Sequence, residues 1–279
     1  MAYFARPDWD LAQQAVAVTA SAEDPAYTAS HLIDEDAAHA AKLTTTTGWW
    51  LLEFANKVIP VALALIYQYL DAGLVFYIQG NDTSDFSSPT FSQAITAPAK
   101  RLDGPSYQRW THNILEFLDA YLVDDGYLFW RLYFPNANSQ PITIGRLALW
   151  STLQAVDILH ATGDISERDT QPALVEGLTA LKVRKVTPIG GPQRELTAAF
   201  VATDFNAGSA PVQEASDFRA LRESTNGGEH PALLVPQLAN DDEPWLVDGF
   251  EGLSCVHAQG GYQVWAFTVR EVSRALPFP

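Results

Sequence analysis

The sequence predicts an all-β protein made of two strand-rich units. Short β-prone runs recur along the chain: "GWWLLEF", "VALALIY", "LVFYIQ", "YLFWRLYF", "ITIGRLALW", "ELTAAFVAT", "PALLVPQL", "EPWLVDGF" and "YQVWAFTVREV". Turn signals separate them, among them "GND", "DGP", "DDG", "PNANSQP", "ATGD", "IGGPQ", "NGGEHP" and "QGG". Many short strands at this spacing indicate a sandwich or barrel. A single stretch carries a helical period. Val212, Ala215, Phe218 and Leu221 fall three apart in "VQEASDFRALRES", which predicts one short helix with one apolar stripe.

The run from Val61 to Asp82 shows why strands are preferred. A membrane-spanning helix needs about 20 mostly apolar residues, and Gln68, Asp71 and Gly73 interrupt this one near its middle. Val61 to Tyr67 is apolar throughout, as is Leu74 to Ile78. Such runs, bounded by turn residues, read as buried strands. The spacing predicts two sandwich-core strands joined over Gln68 to Gly73. Upstream, Trp49 and Trp50 are adjacent, so in a strand they point to opposite faces. One is core; the other is exposed or covered by a neighbouring subunit. Downstream, "SCVHAQGGYQVWAFTV" reads as a hairpin, because Gly260-Gly261 can supply the positive φ angles of a primed turn. Its second strand is apolar on both faces, which suits a strand covered on both sides. One face is expected in the core and the other against a partner, with Trp265 and Phe267 as candidate assembly-interface residues.

The expected boundary lies between Ser151 and Thr170, where "ATGDISERDTQP" is polar and breaker-rich. It divides the chain into a β-sandwich over 1–155 and a β-rich assembly domain over 156–279 that holds the short helix. The alternative is one large sandwich with a decorated loop. Residues 1–26 read as an N-terminal arm, because "LAQQAVAVTASAEDPA" is too rich in small residues to build a core.

Composition excludes some functions. The chain of 279 residues is 47% hydrophobic and 18% charged, with a net charge of −16. Binding phosphates needs positive surface, so no nucleic-acid partner is expected. No stretch is apolar enough for membrane insertion. Cys255 is the one cysteine, so no intrachain disulfide can form. The opening "MAYFARPDWD" has no basic stretch followed by an apolar core, so no signal peptide is expected. The chain is expected to be made in a reducing cytoplasm.

Catalytic signatures are missing. There is no Gly-x-Ser-x-Gly elbow, no His-Glu-x-x-His, no phosphate-cradling loop and no Cys-x-x-Cys. Cys255 and His257 sit two apart in a predicted strand and so share a face. A buried thiol beside a rim imidazole is preferred to a catalytic pair. His31, His39, His112, His160 and His230 lack ligand spacing. Asp34, Glu35 and Asp36 form the tightest acidic cluster of the first unit, and solvation explains them better than glycosidic cleavage does. No enzymatic activity and no cofactor are expected. Tyr107 and Trp110 flank the loop "DGPSYQRWTHN". With Asp82 they form a candidate glycan-contact loop, since aromatic faces stack on apolar sugar surfaces.

The stretch "YTASHLIDEDAAHAAKLTTTTGWWLLEF" resembles the opening of discoidin domains (coagulation factor 5/8 type C, galactose-binding-like). The matching residues are Ala29, Ser30, Leu32, Ile33, Asp34, Asp36, Trp50 and Phe54. Val58 to Leu65, Tyr77 to Asp82, Tyr127 to Phe134 and Ile142 to Trp150 continue the match in order, over about half the chain. The resemblance implies a jelly-roll sandwich with loops at one rim. "RLYFPNANSQPITIGRLALW" and the ending "FTVREVSRALPFP" also resemble tail structural proteins of tailed bacteriophages. That second resemblance implies a virion protein made in a host cytoplasm. It would assemble as a homo-oligomer, expected to be a closed ring, with other virion tail proteins. The alternative implied function is a carbohydrate-binding module acting as an adhesin for a host-surface glycan.

The family resemblance also implies a calcium ion beside the Leu-Ile-Asp-x-Asp loop, with a Glu of the closing strand among its ligands. Here Arg146 stands at that position. A guanidinium has donors only and cannot ligate a cation. No metal is therefore expected, and Arg146 is expected to pair with Asp34 or Asp36 in its place.

Overall fold

A computed structural model describes residues 2–35, 39–98, 113–119, 126–156, 165–168, 174–176, 182–184, 193–203, 223–225, 231–235, 245–257 and 262–271. The chain divides into two units. The first comprises Met1–Asp157 and His230–Leu246, the second Ile158–Glu229 and Val247–Pro279. Among the described residues no helix is long and apolar enough to cross a membrane.

The first unit contains β1 (Ala2–Ala5), β2 (Ala15–Ala20), β3 (Ala41–Lys42), β4 (Gly48–Val58), β5 (Ala62–Gln68), β6 (Val75–Asn81), β7 (Phe91–Thr96), β8 (Ile114–Phe117), β9 (Tyr127–Phe134), β10 (Thr143–Trp150) and β11 (Gln154–Val156). A five-stranded sheet has the order β2-β4-β9-β6-β7, and a four-stranded sheet the order β3-β10-β5-β8. All their pairings are antiparallel. The two core strands expected from the Val61–Asp82 run are β5 and β6, one in each sheet. One core cluster joins the sheets. Trp50, Leu52, Phe76, Ile78, Trp130 and Leu132 come from the larger sheet, and Leu63, Leu65, Leu147 and Leu149 from the smaller. The all-β sandwich expected from the strand spacing is therefore the fold of this unit.

The periodicity of each strand follows its surroundings. β4 and β9 bury alternate side chains, as a strand with one face on a core does. β5 and β10 are buried at every position, which their mostly apolar runs encode, with Gln68, Thr143 and Arg146 as buried polar exceptions. Gly80 lies where a Cβ would come within 2.4 Å of the Tyr127 ring. Glycine thus lets that ring settle on the backbone of β6.

The N-terminal arm is not observed. β2 pairs with β4 from Ala15↔Phe54 to Ala20↔Trp50. The segment before it folds into short 3-10 turns over Pro7–Trp9 and Leu11–Gln14. Asp10 forms a bridge with Trp150, and Ser151 donates its N–H to the Trp9 carbonyl at 3.0 Å. The small residues that argued against a core role serve here as an edge strand, where backbone pairing matters more than side-chain volume.

In the second unit, β12 (Ile165–Arg168), β13 (Leu174–Glu176), β14 (Lys182–Arg184) and β15 (Gln193–Thr203) follow. Next, β16 (Ala232–Val235) returns to the first unit. It pairs with β1 through Phe4↔Leu234, and β1 pairs on its other side with β11. β17 (Trp245–His257) and β18 (Tyr262–Glu271) form the expected C-terminal hairpin, with Val256↔Val264 and Cys255↔Trp265 in register. β18 also pairs with β15, placing Trp265 opposite Phe200 and Phe267 opposite Ala198. The turn at Gly260-Gly261 lies outside the described residues, as does the expected helix apart from Glu223 and Ser224, which are helical.

Candidate functional site

The alternation that fills the core with one set of side chains presents a second set on the opposite face of the five-stranded sheet. Register aligns that set in rows. Trp49 lies opposite Tyr133, and Tyr133 opposite Tyr77. In the adjacent row Leu51 lies opposite Arg131, Arg131 opposite Gln79, and Gln79 opposite Ser92. Trp49, Tyr77, Phe129, Arg131 and Tyr133 are each half-buried. The rings of Tyr77 and Tyr133 are 6.5 Å apart. Three strands at the usual spacing make the aromatic row about 10 Å long. The Trp49–Trp50 pair is thus resolved: Trp50 is fully buried in the core, and Trp49 begins the aromatic row.

The polar row is held rigidly. Arg131 donates from Nε and Nη2 to Gln79 Oε1 at 2.8 and 2.6 Å, and from Nη2 to the Phe86 carbonyl at 3.3 Å. Gln79 Nε2 donates to Ser92 Oγ at 3.2 Å, which fixes the amide with its oxygen towards Arg131. The guanidinium lies 4.3 Å from the Phe86 ring centroid and 4.6 Å from that of Tyr133. Burial lowers its pKa from the ordinary value, and Tyr133 and Asp85 partly offset this; an arginine nevertheless stays charged. The loop that carries Phe86 is pinned by Asn81, which donates to Thr83 Oγ1 and the Asp85 carbonyl and accepts from Thr90 Oγ1. Aromatic faces beside fixed planar donors are the chemistry of sugar recognition, with ring C–H surface stacked on the aromatics and hydroxyls on the polar edge.

Elsewhere in the unit, a pocket of about 360 Å³ opens beside the bulge of β4, between Glu53 and Val58. Leu11, Gln14, Asn56, Lys57 and Ser151 contribute to its walls. Lys57 there reaches Asp82 at 2.8 Å, with both side chains about half exposed. Asp82, a candidate glycan contact, thus carries a surface ion pair. Tyr107 and Trp110 lie outside the described residues, as do His112, His160 and His230. Trp265, Phe267, Cys255 and His257 are placed by their backbones alone. Among the described residues no group of three or more His, Cys, Asp or Glu side chains is arranged to hold a metal ion.

At the locus of the implied calcium, Arg146 has a different partner from the one expected. Its Nη2 donates to Asp10 Oδ2 at 2.8 Å. Both side chains are buried, at 1% and 0% exposure. Asp34 faces His39 at 3.1 Å instead, and Asp36 lies outside the described residues. Asp10 Oδ1 also accepts the N–H groups of Ala12 and Leu149, both at 3.0 Å. Burial pushes the Asp10 carboxyl above its ordinary range, while Arg146 and the Leu149 and Ala12 amides draw it back. Asp10 belongs to the segment read as an arm, and nothing in the local sequence marks it as the partner of a residue on β10.

No family model matches the chain, and none of the curated proteins does. Solved structures similar to it include the lectin domain of lectinolysin complexed with Lewis B antigen, at 11% identity and a TM-score of 0.37, covering 51% of this chain and 96% of that one. A fucose-binding module of Streptococcus pneumoniae is similar at 14% identity and a TM-score of 0.36, covering 51% and 98%. The family-32 carbohydrate-binding module of AlyQ, in complex with 4,5-unsaturated mannuronic acid, is similar at 14% identity and a TM-score of 0.35, covering 50% and 96%.

Proposed function

We propose that the first unit binds carbohydrate through the outer, half-buried face of its five-stranded sheet, without turning it over. The observation that carries this is the Trp49–Tyr133–Tyr77 row lying beside the Arg131–Gln79 pair. The resemblance of Tyr27 to Phe54 to galactose-binding-like domains supports it. On a glycan array the intact chain is expected to bind a defined set of sugars. Trp49→Ala and Tyr133→Ala should each weaken binding by about three- to tenfold, the loss of one stacking ring. A blank array would sink the reading. Loss of binding in Trp110→Ala but not in Trp49→Ala would move the site to the Tyr107–Trp110 loop.

A second reading makes the chain a structural component of a bacteriophage tail, packed as repeated copies. It is supported by the sequence resemblance that runs into the second unit. Exposed apolar side chains on two edge strands also favour it. Val16 on β2 is 61% exposed and Phe117 on β8 is 51% exposed, and neighbouring subunits would cover such residues. A tail component can also bind a glycan, so the two readings are compatible. Mass spectrometry of purified virions should then find the chain in intact particles, and its absence from them would overturn this second reading.

A further inference from the structure

We infer that the carbohydrate taken by this face is acidic, and that the carboxylate of a uronic acid docks on Arg131. The inference rests on the glycan-binding reading and names the ligand class of the same site. Of the lysine and arginine side chains described in the first unit, Arg131 alone has no carboxylate within ion-pair distance. Arg6 pairs with Asp8, Lys42 with Asp24, Lys57 with Asp82 and Arg146 with Asp10. Arg131 is held instead by a neutral amide oxygen and a carbonyl. Asp85 is near enough to act on it electrostatically, but the oxygens of Asp85 accept from Ser87 N and Oγ at 2.9 and 3.1 Å.

The guanidinium is also pre-oriented. The Phe86 and Tyr133 rings lie against it, and Gln79 takes its Nε and one Nη2 proton. Its Nη1 has no hydrogen-bond partner among the described residues, so two N–H donors of the fork are unused. A half-buried cation with unused donors and no counter-ion favours an anion, and a planar carboxylate fits a guanidinium edge better than a hydroxyl does. A uronic acid carries that carboxylate on its ring. One sugar can therefore place its carboxylate on Arg131 and its ring on Tyr133 and Trp49 in the adjacent row. The cost of orienting Arg131 is already met by the fold, which raises affinity.

The test is calorimetry of the full chain with trimers of galacturonate and of glucuronate, each as the free acid and as its methyl ester. Esterification removes the charge and leaves the ring unchanged. At least one acid should bind about 10- to 100-fold more tightly than its ester, as expected for a charge-assisted hydrogen bond, and the gap should narrow as salt is raised. Arg131→Gln should abolish the gap, and Arg131→Lys should restore part of it. If Arg131→Gln fails to fold, as judged by its melting curve, the acid-to-ester comparison on the unaltered chain decides alone. Equal binding of acid and ester would overturn the acidic ligand and leave carbohydrate binding standing. Failure of all four trimers would overturn the acidic ligand, and a blank array besides would overturn both.

Discussion

Asp10→Ala is expected to destabilise the first unit by about 3–5 kcal/mol, because it leaves a buried guanidinium without its counter-ion. Arg146 is 1% exposed and Asp10 is 1% exposed, so water cannot replace the lost carboxylate without opening the fold. Among the described residues the Nε of Arg146 lacks a partner, and its Nη1 makes only a 3.5 Å contact with the Glu35 carbonyl. The substitution also strands the Ala12 and Leu149 amides that Asp10 Oδ1 accepts. Asp10→Asn should cost nearly as much: with its oxygen kept on those amides, its NH₂ group faces the Arg146 donor. The double variant Asp10→Leu, Arg146→Met should recover part of the loss, since it removes the buried charge. Urea unfolding followed by tryptophan fluorescence measures all three. A cost below about 1 kcal/mol for Asp10→Ala would mean that the pair is solvated, contrary to the burial described.

Trp130→Ala is expected to cost about 3–5 kcal/mol. Trp130 is fully buried at the centre of the five-stranded sheet, packed on Phe91 at 5.4 Å and edge-on to Tyr127 at 5.6 Å between ring centroids. Removing the indole leaves a hole bounded by rings that cannot collapse into it. Trp130→Phe should cost clearly less. It keeps an aromatic surface and removes an indole N–H that has no hydrogen-bond acceptor in the described structure, a group whose burial is itself unfavourable. Thermal melts of the two variants check the order. Equal costs for Phe and Ala would show that the site is set by indole shape rather than by apolar volume.

The strands that bury a whole face were legible in the sequence, and the lightly loaded ones were not. β5 and β10 stood out because most of their residues are apolar and all are buried, with Gln68, Thr143 and Arg146 as the polar exceptions. β2 and β7 form the two edges of the five-stranded sheet. Their sequences, "AVAVTA" and "FSQAIT", carry too little apolar contrast to separate an edge strand from a loop. Of the face proposed as the site, the sequence singled out Trp49 alone; the expected glycan contacts Tyr107 and Trp110 lie outside the described residues. Trp49 was marked because a tryptophan pair in a strand must split between faces. The bond from Arg131 to Gln79 depends on the register of β6 against β9, which no local pattern specifies. The family resemblance singles out Arg146, which stands where a Glu ligand is implied, as a cation in need of a carboxylate. Its partner Asp10 is brought to it by the tertiary fold, and short-range spacing carries no signal of that.

The return of β16 to β1 also matters for the order in which the protein can be made. Phe4 and Leu234 are paired and nearly fully buried, yet they lie near opposite ends of the chain. A ribosome adding about 5–20 residues per second would release β16 roughly 10–50 s after β1. For that interval one edge of β1 has no strand to close it, while the strands of the sandwich are already available to fold. Closing so long a loop is slow, and an open strand edge invites pairing with another nascent chain. The brevity of β1, only four residues, limits that hazard during synthesis.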